Sequence, residues 1–218
     1  MALMPLVSPV SSDASRDERI AALRQALGNK LHQGKDLQER EIIPAGKLSS
    51  LLKGGGLARR EIVAINDCPQ LVVDVIAAVS QAGLQIAVVG WPELGLSEVA
   101  EKGVLENIFA IPDPGAQGLQ ILSVLAEGMD LVIYRAGSDD SAKCLNRVAN
   151  AKIRLGRAAI ITVGAEISSP NARISAKVHD ISGIGPGWGR IRDIELAVSV
   201  ESRGVLDTTY IHLGNQAA

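Results

Sequence analysis

Asp67-Cys-Pro-Gln70 joins a strand-like run, Glu61-Ile-Val-Ala-Ile-Asn66, to a helix-like run over Leu71–Ala82. In a nucleotide-binding α/β fold this connection is the phosphate loop. That loop needs glycines, so that successive backbone N–H groups converge on the phosphates. It also needs a Lys for the β/γ oxygens and a Ser or Thr hydroxyl for magnesium. None of these stands here, so ATP hydrolysis at this position is not expected. Cys68 precedes a helix whose dipole could activate a thiol; the expectation is instead a small core residue.

Other chemistry-bearing residues are sparse. The run Gly183-Ile-Gly-Pro-Gly-Trp-Gly189 does not satisfy G-x-G-x-x-G, because the sixth place is Trp188 from Gly183 and Arg190 from Gly185. It follows no strand–helix unit either, so a dinucleotide is not expected. His32, His179 and His212 lack metal-ligand spacing, and no Ser/His/Asp or Cys/His set emerges. Catalytic, cofactor-binding and metal-binding residues are all expected to be absent.

Two groups suit binding instead. Trp188 stands between glycines ahead of Arg190 and Arg192, and Trp and Arg are enriched in interaction hot spots. The competing reading folds Trp188 back over a sheet edge. From Asp139 to Arg192 there are nine Lys/Arg against four Asp/Glu. On a helix over Ser141–Leu155, Lys143, Arg147 and Arg154 fall within about 40° of one another. This stripe is a candidate phosphate contact, or else a solvated face opposite buried Leu145 and Val148. Any DNA contact is expected to be weak and salt-sensitive, or indirect.

The elements that position these residues follow from periodicity. Residues 1–12 carry no pattern. Ser12 or Asp13 could cap an amphipathic helix over Arg16–Leu27, with Ile20, Leu23 and Leu27 on one stripe and Gly28 as its stop. That helix can dock on its own domain, on a partner or on a second copy, so Leu23 and Leu27 are candidate partner contacts. From Ile42 apolar strands alternate with helices: strands at Glu61–Asn66, Leu84–Gly90, Asn107–Ile111, Asp130–Tyr134 and Ala158–Val163, helices at Leu71–Ala82, Ser97–Gly103, Gly115–Glu127 and Ser141–Leu155. This order predicts a mostly parallel sheet flanked by helices. After Gly164 the period drops to two. Ile174, Ala176 and Val178, then Ile194, Leu196, Val198 and Val200, predict an antiparallel C-terminal β-hairpin with one wet face. The expected organisation is an N-terminal segment and helix over 1–41, an α/β domain over 42–204 and a tail over 205–218.

Composition bounds the rest. The chain has 218 residues and a net charge of −2, and only 2% are aromatic. That leaves no global basic field for DNA or membrane and few platforms for base stacking. No apolar run approaches the ~20 residues of a membrane span. The N-terminus, with two prolines and no basic region, makes a poor signal peptide. Two cysteines give no disulfide framework, so a reduced, cytoplasmic setting is expected.

In order, these pieces resemble the ATPase core of the RecA family. There, too, a segment like Ile43-Pro-Ala-Gly46 precedes a turn like Gly54-Gly-Gly-Leu57 and the first core strand. The resemblance continues through Val75–Gly83 and Glu101–Phe109 to Met129–Arg135. The departures concern chemistry. The phosphate loop is shortened, and Arg135 stands where the family places an acid that helps hold magnesium. The catalytic acid position aligns with Trp91 or, with a shift, Glu93. With Val88–Leu96 and Gly187-Trp-Gly-Arg-Ile-Arg192, the chain resembles the RecA-like, ImuA-type accessory proteins of actinobacterial mutagenic translesion synthesis, over roughly residues 42 to 204. The resemblance implies a non-enzymatic adaptor of the DNA-damage (SOS) response. Its implied partners are an inactive Y-family polymerase relative and an error-prone replicative-type polymerase. The alternatives are a damage-induced cell-division inhibitor on the same fold and an ATP-dependent recombinase.

Overall fold

The computed structural model describes residues 41–136, 151, 155–164, 167, 169–185, 187–202 and 204–214. The sequence-predicted helices at Arg16–Leu27 and, apart from Ala151 and Leu155, at Ser141–Leu155 lie outside these residues. So do Leu23, Leu27, Lys143, Arg147 and Arg154.

Two short strands, β1 (Ile42–Ile43) and β2 (Leu57–Ala58), pair antiparallel ahead of the core. Then follow β3 (Ile62–Ile65), α1 (Pro69–Gln81), β4 (Ile86–Val89), α2 (Ser97–Lys102), β5 (Ile108–Ile111), α3 (Gly118–Gly128), β6 (Leu131–Arg135), β7 (Ala159–Val163), β8 (Ala172–Gly185), β9 (Trp188–Ser202) and β10 (Val205–His212). The main sheet runs β10-β9-β8-β3-β7-β6-β4-β5. From β8 to β5 all neighbours are parallel, whereas β9 runs antiparallel to both β8 and β10. The expected α/β class with an antiparallel C-terminal extension is what forms. No helix among the described residues is long and apolar enough to cross a membrane.

The central strands are β-branched on both faces because both faces are covered. Val63 and Ile65 join a core with Val88, Ile133, Ile161 and the α1 stripe Leu71, Val72, Val75, Ile76 and Val79. Their neighbours Ile62 and Ala64 face the opposite core, with Val89, Val132, Ile160 and α3's Leu122 and Ala126. Each fully buried aliphatic side chain contributes about 1.5–3 kcal/mol. A propensity-neutral helix such as α1 is therefore held by its buried stripe. Pro69 at its first turn presets φ. Ahead of it, Gly46 has φ +57, and a Cβ there would run into the Asp74 carboxylate, which accepts the Lys47 amide at 2.6 Å. This turn is thereby docked on α1. Burial pushes the Asp74 carboxyl up, against the Lys47 amide that lowers it.

Two asparagines extend the short β3–β8 ladder at both ends. The Asn171 amide donates to Ile62 O (2.7 Å) while its side-chain oxygen accepts from Ile62 N (3.1 Å). At the other end, Asn66 Nδ2 donates to Ala176 O and Asn66 Oδ1 accepts from Ala176 N, both at 2.8 Å. Beyond this clamp β8 carries a bulge at His179. Val178 pairs with Leu196 and Ile181 with Ile194, so the bulge shifts Ile181 onto the face that strict alternation would deny it. The single wet face expected of the hairpin holds only at its root. Past Ala176, where no described helix covers the ribbon, Val178, Ile181 and Ile184 are exposed. Residues 205–212, expected within a tail, form β10, in unbroken register with β9.

At the amino-terminal end of the parallel strands, buried Asp130 collects charge. Arg59 Nη2 lies 2.8 Å from Asp130 Oδ1, Arg157 Nη2 reaches the same oxygen, and the Gln85 amide donates to Oδ2 at 2.8 Å. Burial pushes this carboxyl up, but the Gln85 amide and the two guanidiniums outweigh it, and its pKa is lowered. A depressed carboxylate stabilises the fold above its unfolded pKa of about 3.9, and that contribution fades as pH falls below it. Asp130→Asn removes the buried countercharge of the Arg59 guanidinium, 7% exposed, and leaves it only the exposed Glu41 carboxylate, 3.0 Å from its Nε. We expect a loss of about 3–5 kcal/mol at pH 7 and a shallower acid limb in urea unfolding measured against pH. Asn66→Ala should cost about 1–3 kcal/mol by orphaning the Ala176 amide, read by the same method.

Candidate functional site

In open parallel sheets ligands bind beyond the carboxyl ends of the strands, where successive connections diverge. Here β3 leads through α1 to β4, with β7 and β6 between them in the sheet, so the crevice lies beyond β3, β7, β6 and β4. Its residues come from Asn66-Asp-Cys68 after β3, Gly90–Glu93 after β4 and Arg135 at the end of β6.

Arg135 occupies its middle. Nη2 lies 2.9 Å from Asp67 Oδ2, Nη1 bonds to Glu93 Oε1, and the guanidinium carbon stands 5.0 Å from the centroid of the Trp91 ring. Trp91 is buried and belongs to the α1-side core, so it offers a fixed aromatic floor. Gly90 makes the approach possible. Its φ is +74, and a Cβ would come within 2.6 Å of the Arg135 carbonyl oxygen. The two carboxylates therefore converge on one guanidinium, a diffuse cation already in place. Among the described residues no group of three or more His, Cys, Asp or Glu could hold a metal ion.

Cys68 is buried directly before α1, and burial pushes its thiol up despite the Leu71 amide. A protonated thiol is a poor nucleophile at neutral pH, so Cys68 behaves as a core residue. His179 and His212, far apart in sequence, both approach Glu195: His179 Nε2 at 4.0 Å and His212 Nε2 at 3.6 Å. His212 Nδ1 also contacts Asp193 Oδ2 at 2.7 Å, and that hydrogen bond raises its pKa. His179 tilts against Tyr210 with centroids 4.8 Å apart. The pairing of β8, β9 and β10 creates this cluster, and no local spacing announces it.

The hairpin brings Trp188, Arg190 and Arg192 together at its tip, all exposed. Trp188 is 73% exposed. Its ring lies across its cross-strand partner Gly185, where an added Cβ would meet ring atoms at 2.5 Å. It does not fold back over the sheet edge. From Gly183 to Arg192 the chain carries two arginines and no acid, so the tip is a small cationic, apolar surface on a rigid ribbon.

Comparisons with known proteins agree with this architecture. The crystal structure of the RadB recombinase superposes with a TM-score of 0.51 over 74% of this chain and 91% of that chain, at 13% identity. The fold is therefore RecA-like. Uncharacterized protein Rv3395c of Mycobacterium tuberculosis is 27% identical over 196 residues, 85% of this chain and 93% of its own length. The model of the MT3502 N-terminal domain matches residues 50–169, from the turn before β2 to the crossover after β7. Spanning more than half of the chain and nearly all of the parallel sheet, that match makes this protein a member of the MT3502 N-terminal domain family.

Proposed function

We propose that this chain is a non-catalytic RecA-like adaptor in DNA-damage-induced, error-prone translesion synthesis. In this reading it bridges an inactive Y-family polymerase relative and an error-prone replicative-type polymerase. The observation that carries the reading is Arg135, pinned by Asp67 and Glu93 over Trp91 at the place where a RecA-type ATPase gathers phosphate and magnesium. A guanidinium there repels a divalent ion and consumes both nearby carboxylates. With no phosphate loop between β3 and α1, the crevice supplies rigidity in place of chemistry. The sheet then serves as a frame that holds binding surfaces, and the exposed tip with Trp188, Arg190 and Arg192 is the surface best suited to a protein partner. The resemblance to ImuA-type accessory proteins supplies the pathway.

Affinity capture from DNA-damaged cells tests the pathway. Recovery of the two polymerase-type partners is the expected result. Recovery of division proteins, with filamentous cells on overexpression, would favour the division-inhibitor reading instead. Titration with ATP and magnesium separates adaptor from motor: no saturable binding in the micromolar range is expected, and such binding would overturn the non-catalytic reading. Arg135→Ala should not create nucleotide binding, because the glycines and Lys of a phosphate loop remain missing. It should cost only about 0.2–1 kcal/mol per broken exposed pair, seen as a small drop in thermal midpoint. Trp188→Ala should weaken capture of the partner by more than about 1 kcal/mol with the midpoint unchanged, since the ring covers little but Gly185.

A further inference from the structure

Among the described residues β10, eight residues long, is an edge strand with nothing paired to its outer side. The Leu213 amide donates to Ile194 O at 2.9 Å, which makes 213/194 a hydrogen-bonded pair. With unbroken register, residues 205, 207, 209 and 211 then direct their N–H and C=O groups at β9. Leu206, Thr208, Tyr210 and His212 direct theirs away from the sheet, where no described strand lies. Natural edge strands are usually blunted by Lys, Pro, a bulge or shortness. Val205-Leu-Asp-Thr-Thr-Tyr-Ile-His212 has no Lys, Pro or bulge and a single acid, Asp207. Leu206 is 66% exposed and Tyr210 54%.

We infer that this edge takes the same edge of a second copy, antiparallel, across a two-fold axis normal to the sheet and centred on Thr208. The pleat restricts the choices, because paired residues must share a face and the axis must therefore pass through a residue position. Charge and apolar matching decide among the remaining centres. Centring on Asp207 sets the two Asp207 carboxylates directly opposite each other, which is destabilising. Centring on Thr209 faces Asp207 with Ile211 and Leu206 with His212. Centring on Thr208 faces Leu206 with Tyr210, Val205 with Ile211, Asp207 with Thr209, and Thr208 with itself. Apolar residues then meet apolar residues on both faces, and no two charges coincide. About six new backbone hydrogen bonds form through Leu206, Thr208 and Tyr210. One strand pair buries less than the about 1,200–2,000 Å² of a stable interface, so the dimer is weak and reversible. It adds a contact independent of the adaptor reading.

Sedimentation velocity on the full chain, from micromolar to near-millimolar concentration, should show a reversible monomer–dimer equilibrium. Thr208→Pro removes an N–H that faces away from β9, so circular dichroism and thermal midpoint should hold while the dimer Kd rises at least about tenfold, a loss of about 1.4 kcal/mol. Leu206→Lys, a surface change that leaves the backbone alone, should do the same and covers the case in which the proline variant fails to fold. Under mild oxidation Thr208→Cys should cross-link to its own copy, since paired Cα atoms of about 5.5 Å suit a disulfide. Leu206→Cys, facing Tyr210 of the other copy, should not exceed the native chain. A monomer at every concentration, a dimer indifferent to both Thr208→Pro and Leu206→Lys, or equal cross-linking at 206 and 208 would each overturn the inference.

Discussion

Four adjacent strands, β3, β7, β6 and β4, bury almost every side chain on both faces, so water reaches their backbone amides only at the ends. Every donor and acceptor there must be met within the sheet or by a side chain placed for the purpose. Much of the polar architecture follows from that demand. At the amino-terminal end Asp130 receives the Gln85 amide and draws in Arg59 and Arg157. Between β3 and β8, Asn66 and Asn171 act as side-chain rungs where the ladder would otherwise stop. Ser80, buried in α1, accepts from Val104 N and, through its carbonyl, from Asn107, fixing the approach to β5.

At the carboxyl-terminal end the same geometry has a chemical consequence. Parallel strands deliver their last residues to one crevice, and whatever side chains stand there face one another across it. Asp67 and Glu93 would repel each other if left alone; Arg135 resolves this by donating to both and resting on Trp91. Gly90 is the backbone counterpart of that arrangement, since a side chain at its position would push Arg135 away. Substituting one residue of an acidic crevice by Arg therefore changes more than charge. It draws the neighbouring acids onto one guanidinium.

Much of this was legible in the residues. The central strands announced themselves as short β-branched runs, and their helices by apolar stripes such as Leu71, Val72, Val75 and Val79. The hairpin declared itself by period two. Asp67, Glu93, Trp91 and Arg135 were each visible as departures from a nucleotide site, but their convergence was not, because it depends on which strands lie adjacent. Strand β10 was missed for a physical reason. Most of its side chains on either face are exposed, so selection for burial leaves no alternation in its sequence. The bulge at His179 was hidden because it moves Ile181 against the period that revealed the strand. Asp130 reads as an ordinary residue before a strand, since its arginines come from before β3 and before β7.

The antiparallel extension changes what the sheet can be used for. A purely parallel sheet is covered on both faces and concentrates its free groups in the crevice, which here holds the Arg135 ion pairs. Adding β8, β9 and β10 carries the sheet beyond its covering helices. Three kinds of surface then appear among the described residues: a ribbon that past Ala176 has both faces wet, a tip whose run from Gly183 to Arg192 carries two arginines and no acid, and an edge with no described strand beside its outward amides. None of them uses the buried side chains of the parallel core. The sheet is thus divided between a buried parallel half that packs and an antiparallel wing that offers accessible surface.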